Sequence, residues 1–167
     1  MCVTKRLQKK YEFYANYHRN PINKFIHFIC IPSICFSLFI LLNYIPLEID
    51  ITKIINDNTT NYLEDITIPK CSLVLRLSSL LYIFYFIYYC YLTPCLGLIA
   101  NIFYFAVLFG ANYFYCKIEY AYAYAIGIQI LGWVLQILGH RFWEGNSPAF
   151  IKGFKDSFLL APLFVTV

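Results

Sequence analysis

The residues of this chain best suited to chemistry are three histidines, His18, His27 and His140, its whole complement in 167 residues. Imidazole is the commonest metal ligand among side chains and titrates near neutrality. Asn23 precedes His27 by four positions and Glu144 follows His140 by four, so in a helix each pair shares a face. Imidazole nitrogens with one carboxylate suit iron or zinc, and an open facial site suits ferrous oxygenases in particular. A single histidine could equally be a packing residue that donates to a carbonyl. Three of them with Glu144 favour a site. The seven cysteines offer no rival, because they are odd in number and form no C-x-x-C pair. Five of them (Cys30, Cys35, Cys90, Cys95 and Cys116) lie in long apolar runs, which excludes a zinc ribbon, a thioredoxin motif and a secreted disulfide scaffold. Cys30 and Cys35 read as small apolar packing residues.

The elements that must hold these histidines are membrane helices. The chain is 60% apolar and 13% charged, with a mean hydropathy of +0.61. A soluble domain is about 45–50% apolar and about 25% charged, and disordered segments are polar and charge-rich. Four stretches have the ~20 apolar residues that a span needs: Phe25–Ile45, Cys71–Thr93, Pro94–Cys116 and Tyr120–Gly139. Thr93-Pro94 reads as a tight turn between antiparallel helices. Lys117-Ile118-Glu119 is a second short turn. Arg76, near one end of its span, should snorkel or pair. The apolar run Phe158–Val167 is too short to cross, so 148–167 reads as a re-entrant helix or part of a fifth span. The expected fold is all-α, a single membrane domain over 1–167 with four to five transmembrane helices. An amphipathic helix, Lys5–Tyr17, precedes the first of them.

Basic residues set the orientation. Lys5, Arg6, Lys9, Lys10, Arg19 and Lys24 precede the first span against one acid, Glu12, and Arg141, Lys152 and Lys155 follow the fourth. The intervening 46–70 loop is acidic. Four crossings place both basic segments on one side, the cytosolic one by the positive-inside rule. All three histidines then meet at the cytosolic boundary of the bilayer. Asn20-Pro21 supplies an N-cap and a first-turn proline, which starts the helix that carries Asn23 and His27. Gly145-Asn146-Ser147-Pro148 ends the helix that carries His140 and Glu144, and Ser147-Pro148 can cap the next.

Other signals are bland or negative. The N-terminal apolar run starts late, is too long for a signal peptide and lacks a small-residue cleavage site. The net charge of +4 reflects topology and phosphate headgroups, since no nucleic-acid recognition motif is present. Asn58-Thr59-Thr60 is a formal glycosylation acceptor. Tyr82, Tyr85, Tyr88, Tyr89 and Tyr91 read as an aromatic belt.

Two blocks carry a family resemblance. Tyr17-His18-Arg19-Asn20-Pro21-Ile22-Asn23-Lys24-Phe25-Ile26-His27 with Pro32 is the first. Trp133, Gln136-Ile137-Leu138-Gly139-His140, Glu144, Pro148-Ala149 and Leu160-Ala161-Pro162 form the second. Together they resemble the Mpo-like family of membrane 2-hydroxy fatty acid dioxygenases, end to end, although the middle spans match in hydropathy only. The resemblance implies an integral endoplasmic-reticulum enzyme that uses Fe(II) and O2 on 2-hydroxy fatty acids. It would give the acid one carbon shorter and CO2, in lipid and sphingoid base breakdown. It maps metal ligation onto His18, His27 and His140. Glu144 would be a fourth ligand or an acceptor that orients His140 or a water. Asn23 and Asn20 would orient imidazoles or the substrate hydroxyl, and Arg141 or Arg19 would pair with the substrate carboxylate. The alternative is a non-enzymatic membrane protein that binds haem or lipid. An ion pathway is weaker, because no acid lies inside the four spans.

Overall fold

The computed structural model describes residues 5–45, 49–50, 74–145 and 154–166. The glycosylation acceptor at Asn58, the Ser147-Pro148 cap and most of the 46–70 loop lie outside the described residues. The helices are α1 (Lys5–Tyr17), α2 (Pro21–Leu42), α3 (Leu77–Leu92), α4 (Pro94–Lys117), α5 (Ala121–Gly139) and α6 (Phe154–Thr166). The last turn of α5 widens into a π-helical turn, His140–Glu144, which ends at Gly145 in the left-handed conformation (φ 65°). Two residue pairs, Ile49 with Leu75 and Asp50 with Val74, form a minimal antiparallel ladder beside the start of α3.

The helix boundaries follow local chemistry. Asn20 is extended (φ −75°, ψ 131°), its side chain accepts from the Ile22 amide, and Pro21 begins α2 as expected. Thr93, which precedes a proline, is held extended (φ −159°, ψ 102°), and this breaks α3 from α4. α4 ends at Lys117, and Tyr120 in the left-handed conformation (φ 57°) turns the chain into α5.

Among the described residues, three helices are long and apolar enough to cross a membrane: Pro21–Leu42, Pro94–Lys117 and Ala121–Glu144. The expected span over 71–93 is shorter here. α3 has 16 residues, about 24 Å at 1.5 Å per residue against a hydrocarbon core of ~30 Å. Arg76 stands just before α3, buried, with its guanidinium carbon 4.6 Å from the centre of the Tyr115 ring. The charge thus stands ahead of the helix, at its N-cap position, instead of within it. Large apolar side chains on the outer faces, such as Ile87, Ile102, Phe109 and Ile130, are more than half exposed, as lipid-facing residues should be.

α2 and α5 form the central pair. Gly132 and Gly139, seven residues apart, let the backbones approach closely, as small residues do in membrane bundles. A Cβ at Gly132 would meet Ile34 Cγ1 at 2.7 Å, and one at Gly139 would meet Asn23 Oδ1 at 2.6 Å. Phe39 and Ile40 of α2 pack with Leu108 and Ala111 of α4 and with Ala121 and Ala125 of α5. At that end Asn43 donates to Asn112 (2.7 Å) and accepts from Ser78 (2.6 Å), which ties α2 to α4 and α3. α6 is drawn into the bundle. Leu160 and Leu163 are buried against Tyr89, Leu92 and Ala100, and the Tyr89 hydroxyl donates to the Leu159 carbonyl (3.0 Å). α1 lies on α6 through Tyr11 and Tyr14, both against Phe164.

Candidate metal centre

Three separate elements deliver the three histidines. His18 follows α1 and is fixed by Tyr14 one turn earlier. Its ring stacks on the Tyr14 ring (centroids 3.9 Å, 16°), and its Nδ1–H donates to the Tyr14 carbonyl at 2.9 Å. That bond leaves Nε2 as the lone-pair nitrogen. His27 lies on the second turn of α2, on the same buried face as Asn23. His140 opens the π turn at the end of α5, directly after Gly139 has brought the two helices together.

The rings converge. Centroid separations are 4.5 Å for His18–His27, 4.8 Å for His18–His140 and 4.9 Å for His27–His140, and all three residues are buried. One nitrogen from each lies within 4.8 Å of the others, and the Nε2 atoms of His27 and His140 are 3.1 Å apart. Two nitrogens at right angles on a metal with ~2.1 Å bonds stand about 3.0 Å apart. His18 Nε2 and His140 Nδ1 are buried without a hydrogen-bond partner. An unmet buried polar atom costs about 1–3 kcal/mol, so the cluster is incomplete as protein alone. Burial lowers the His18 pKa to about 4, which keeps the ring neutral and able to ligate near pH 7. Burial likewise raises the Tyr14 phenol above its ordinary value. The donor set therefore fits a divalent metal.

An apolar cavity of about 100 Å³ begins at the three histidines and runs between α2, α3, α4, α5 and α6. Ile31, Ile34 and Leu38 line it on the α2 side, and Phe39 lies deepest on that helix. From His27 to Phe39 is about 18 Å of helix rise, slightly more than half of a ~30 Å hydrocarbon core. A second, more open cleft shares Tyr14, His18 and His27 with this cavity and adds Arg19 and Lys24 at the surface.

Residues 4–167 match the Mpo1-like family, described as 2-hydroxy-palmitic acid dioxygenase Mpo1-like. The chain belongs to the Mpo1-like family. One relative, the 2-hydroxy-palmitic acid dioxygenase MPO1 of Saccharomyces cerevisiae, is 26% identical over 159 residues, covering 95% of this chain and 76% of its own. No solved structure matches.

In this Mpo1-like chain the other expected site residues fall into two groups. Glu144 Oε1 accepts from the Asn20 main-chain N–H (2.9 Å) and from Asn23 Nδ2 (3.1 Å), so it clamps the start of α2 to the π turn. Asn23, fully buried on the helix that bears His27, thus directs its Nδ2 to Glu144. Arg141 is exposed and does not line the cavity. Arg19 donates to the Asn16 side chain (3.3 Å) at the open cleft. No role was expected of Tyr14, of the pair Gly132 and Gly139, or of Gln136, which lines the cavity one turn before His140, although Gly139 and Gln136 stand in the second family block. The four-residue spacing of Tyr14 to His18 and of Gln136 to His140 was the available signal.

Proposed function

We propose that this chain is an Fe(II)-dependent dioxygenase of 2-hydroxy fatty acids, one that removes a single carbon as CO2. The observation that carries the reading is the junction of three buried imidazoles with the mouth of an apolar cavity. The overall change balances with one O2: the 2-hydroxy acid gives the acid one carbon shorter, CO2 and water. When bound, ferrous iron supplies the electrons and open coordination positions that O2 chemistry needs; zinc, which has no redox chemistry, does not suit it. His18, His27 and His140 hold the metal, with Tyr14 fixing the His18 tautomer. Glu144 acts through Asn20 and Asn23 as a positioning residue. Arg19 and Lys24 face the open cleft beside His18 and His27 and supply positive charge for the substrate carboxylate. The apolar cavity receives the tail and excludes water from it. The 3.1 Å approach of His27 Nε2 and His140 Nε2 suits a shared small cation. We place the protein in the endoplasmic-reticulum membrane on its family resemblance, and its histidines on the cytosolic side on the charge asymmetry of its loops.

The test is anaerobic incubation of detergent-purified protein with Fe(II) and 2-hydroxypalmitate, then air, with mass spectrometry of the products. The fifteen-carbon acid should appear, depend on iron, and be absent from His140→Ala. Full activity in His27→Ala would refute the ligand assignment.

A further inference from the structure

Besides its histidines, the apolar cavity is lined by two side chains with a buried polar atom that has no partner, Gln136 and Tyr104. Gln136 is 9% exposed, lines the cavity, and its Nε2 is buried without a hydrogen-bond partner. Of the described residues that line this cavity, none is a lysine or arginine, so no charge explains the amide's presence. A buried amide donor facing an apolar void is unfavourable unless something that enters the void accepts from it. The acceptor must therefore come with the ligand.

Its position says which atom. Gln136 precedes His140 by one helical turn, and α5 runs outward toward His140, so the amide lies about 6 Å deeper than the metal ligand. The basic side chains Arg19 and Lys24 stand on the outer side of the histidines, in the open cleft. A 2-hydroxy acid that enters tail first passes its carboxylate last. The oxygen that reaches inward from the head is the 2-hydroxyl. A second orphan, the Tyr104 hydroxyl, also lines the cavity, but it lies in the middle of α4, well below the head.

We propose that Gln136 reads the 2-hydroxyl group: its amide N–H donates to the hydroxyl oxygen and so selects 2-hydroxy acids over plain fatty acids. This rests on the fatty-acid reading above. A site built to hydrogen-bond a hydroxyl rejects the analogue that lacks it, because the protein donor is then left unpaired. Gln136 is thus a specificity-determining residue that touches substrate without touching the metal.

Metal-free protein in detergent isolates this contact. Displacement of a fluorescent sixteen-carbon acid by 2-hydroxypalmitate and by palmitate gives two affinities and their ratio. Wild type should prefer 2-hydroxypalmitate about tenfold, and Gln136→Leu should bind both acids with a ratio near one. Gln136→Leu should also keep wild-type metal content, which separates loss of recognition from loss of the fold. No preference in wild type, or an unchanged preference in Gln136→Leu, overturns the assignment to Gln136. So does a preference lost in Tyr104→Phe and kept in Gln136→Leu. Failure of wild type to bind either acid would instead overturn the fatty-acid reading itself.

Discussion

Glu144 offers the sharpest test of how the site is held. Its Oε1 accepts from the Asn20 main chain and from Asn23 Nδ2, and these two bonds join positions 124 and 121 residues apart. Hydrogen bonds to a charged acceptor contribute about 1.5–3 kcal/mol each. Glu144 is half-exposed, so solvent screening brings each to about 1 kcal/mol. Asn23 is fully buried and its Oδ1 already lacks a partner. Stranding Nδ2 as well adds about 1 kcal/mol. Glu144→Ala should therefore cost about 3 kcal/mol, a fall of roughly 6–12 °C in Tm for a chain of this size. Glu144→Gln, which keeps one acceptor oxygen, should lose about half as much. Removal of a residue that orients metal ligands lowers metal affinity by about 10–100-fold, so Glu144→Ala should also load less metal. Thermal unfolding of the detergent-solubilised protein, with Asn23→Leu and the double variant, closes the cycle. Strictly additive losses from Asn23→Leu and Glu144→Ala would refute the clamp, as would an unchanged Tm in Glu144→Ala.

Three further outcomes follow from the same geometry. His18→Ala, His27→Ala and His140→Ala should each abolish stoichiometric metal retention, read by elemental analysis after dialysis against a mild chelator. Gly139→Val should drive α2 and α5 apart at Asn23 and lose the metal, whereas Gly127→Ala, which meets nothing within 4 Å, should keep it and gain up to about 1 kcal/mol of stability; equal metal content in the two would refute the close-approach role. Phe39→Ala deepens the cavity and should shift substrate preference toward longer acyl chains, measured by competition between acids of different length, at a stability cost of about 3–5 kcal/mol.

Much of this was legible in the residues. Lys5–Tyr17, the Asn20-Pro21 helix start, the Thr93-Pro94 break and the meeting of three histidines all follow from local rules: caps, proline, and charge bias. What was not legible depends on neighbours distant in sequence. Hydropathy counted Arg76 into a span, but it stands ahead of α3 with its guanidinium over the Tyr115 ring of another helix. Glu144 was expected near His140 by spacing; that its Oε1 also takes up Asn20 and Asn23 was not legible, because it depends on the π turn and on the two donors that α2 offers. The vacancy beside Gln136 exists only once α3, α4 and α6 have closed around it.

The wide separation of the ligands along the chain also orders biogenesis. His27 and His140 are 113 residues apart, and a nascent chain inserting helix by helix carries only His18 and His27 until α5 has entered the bilayer. Two imidazoles make a weak and unselective metal ligand pair. On the proposed ligand set, tight capture is therefore postponed until synthesis has passed residue 140, when the His140 end of α5 docks against α2. Metal loading would then report completed membrane insertion: a chain whose α5 fails to insert would stay empty, however much metal surrounds the ribosome.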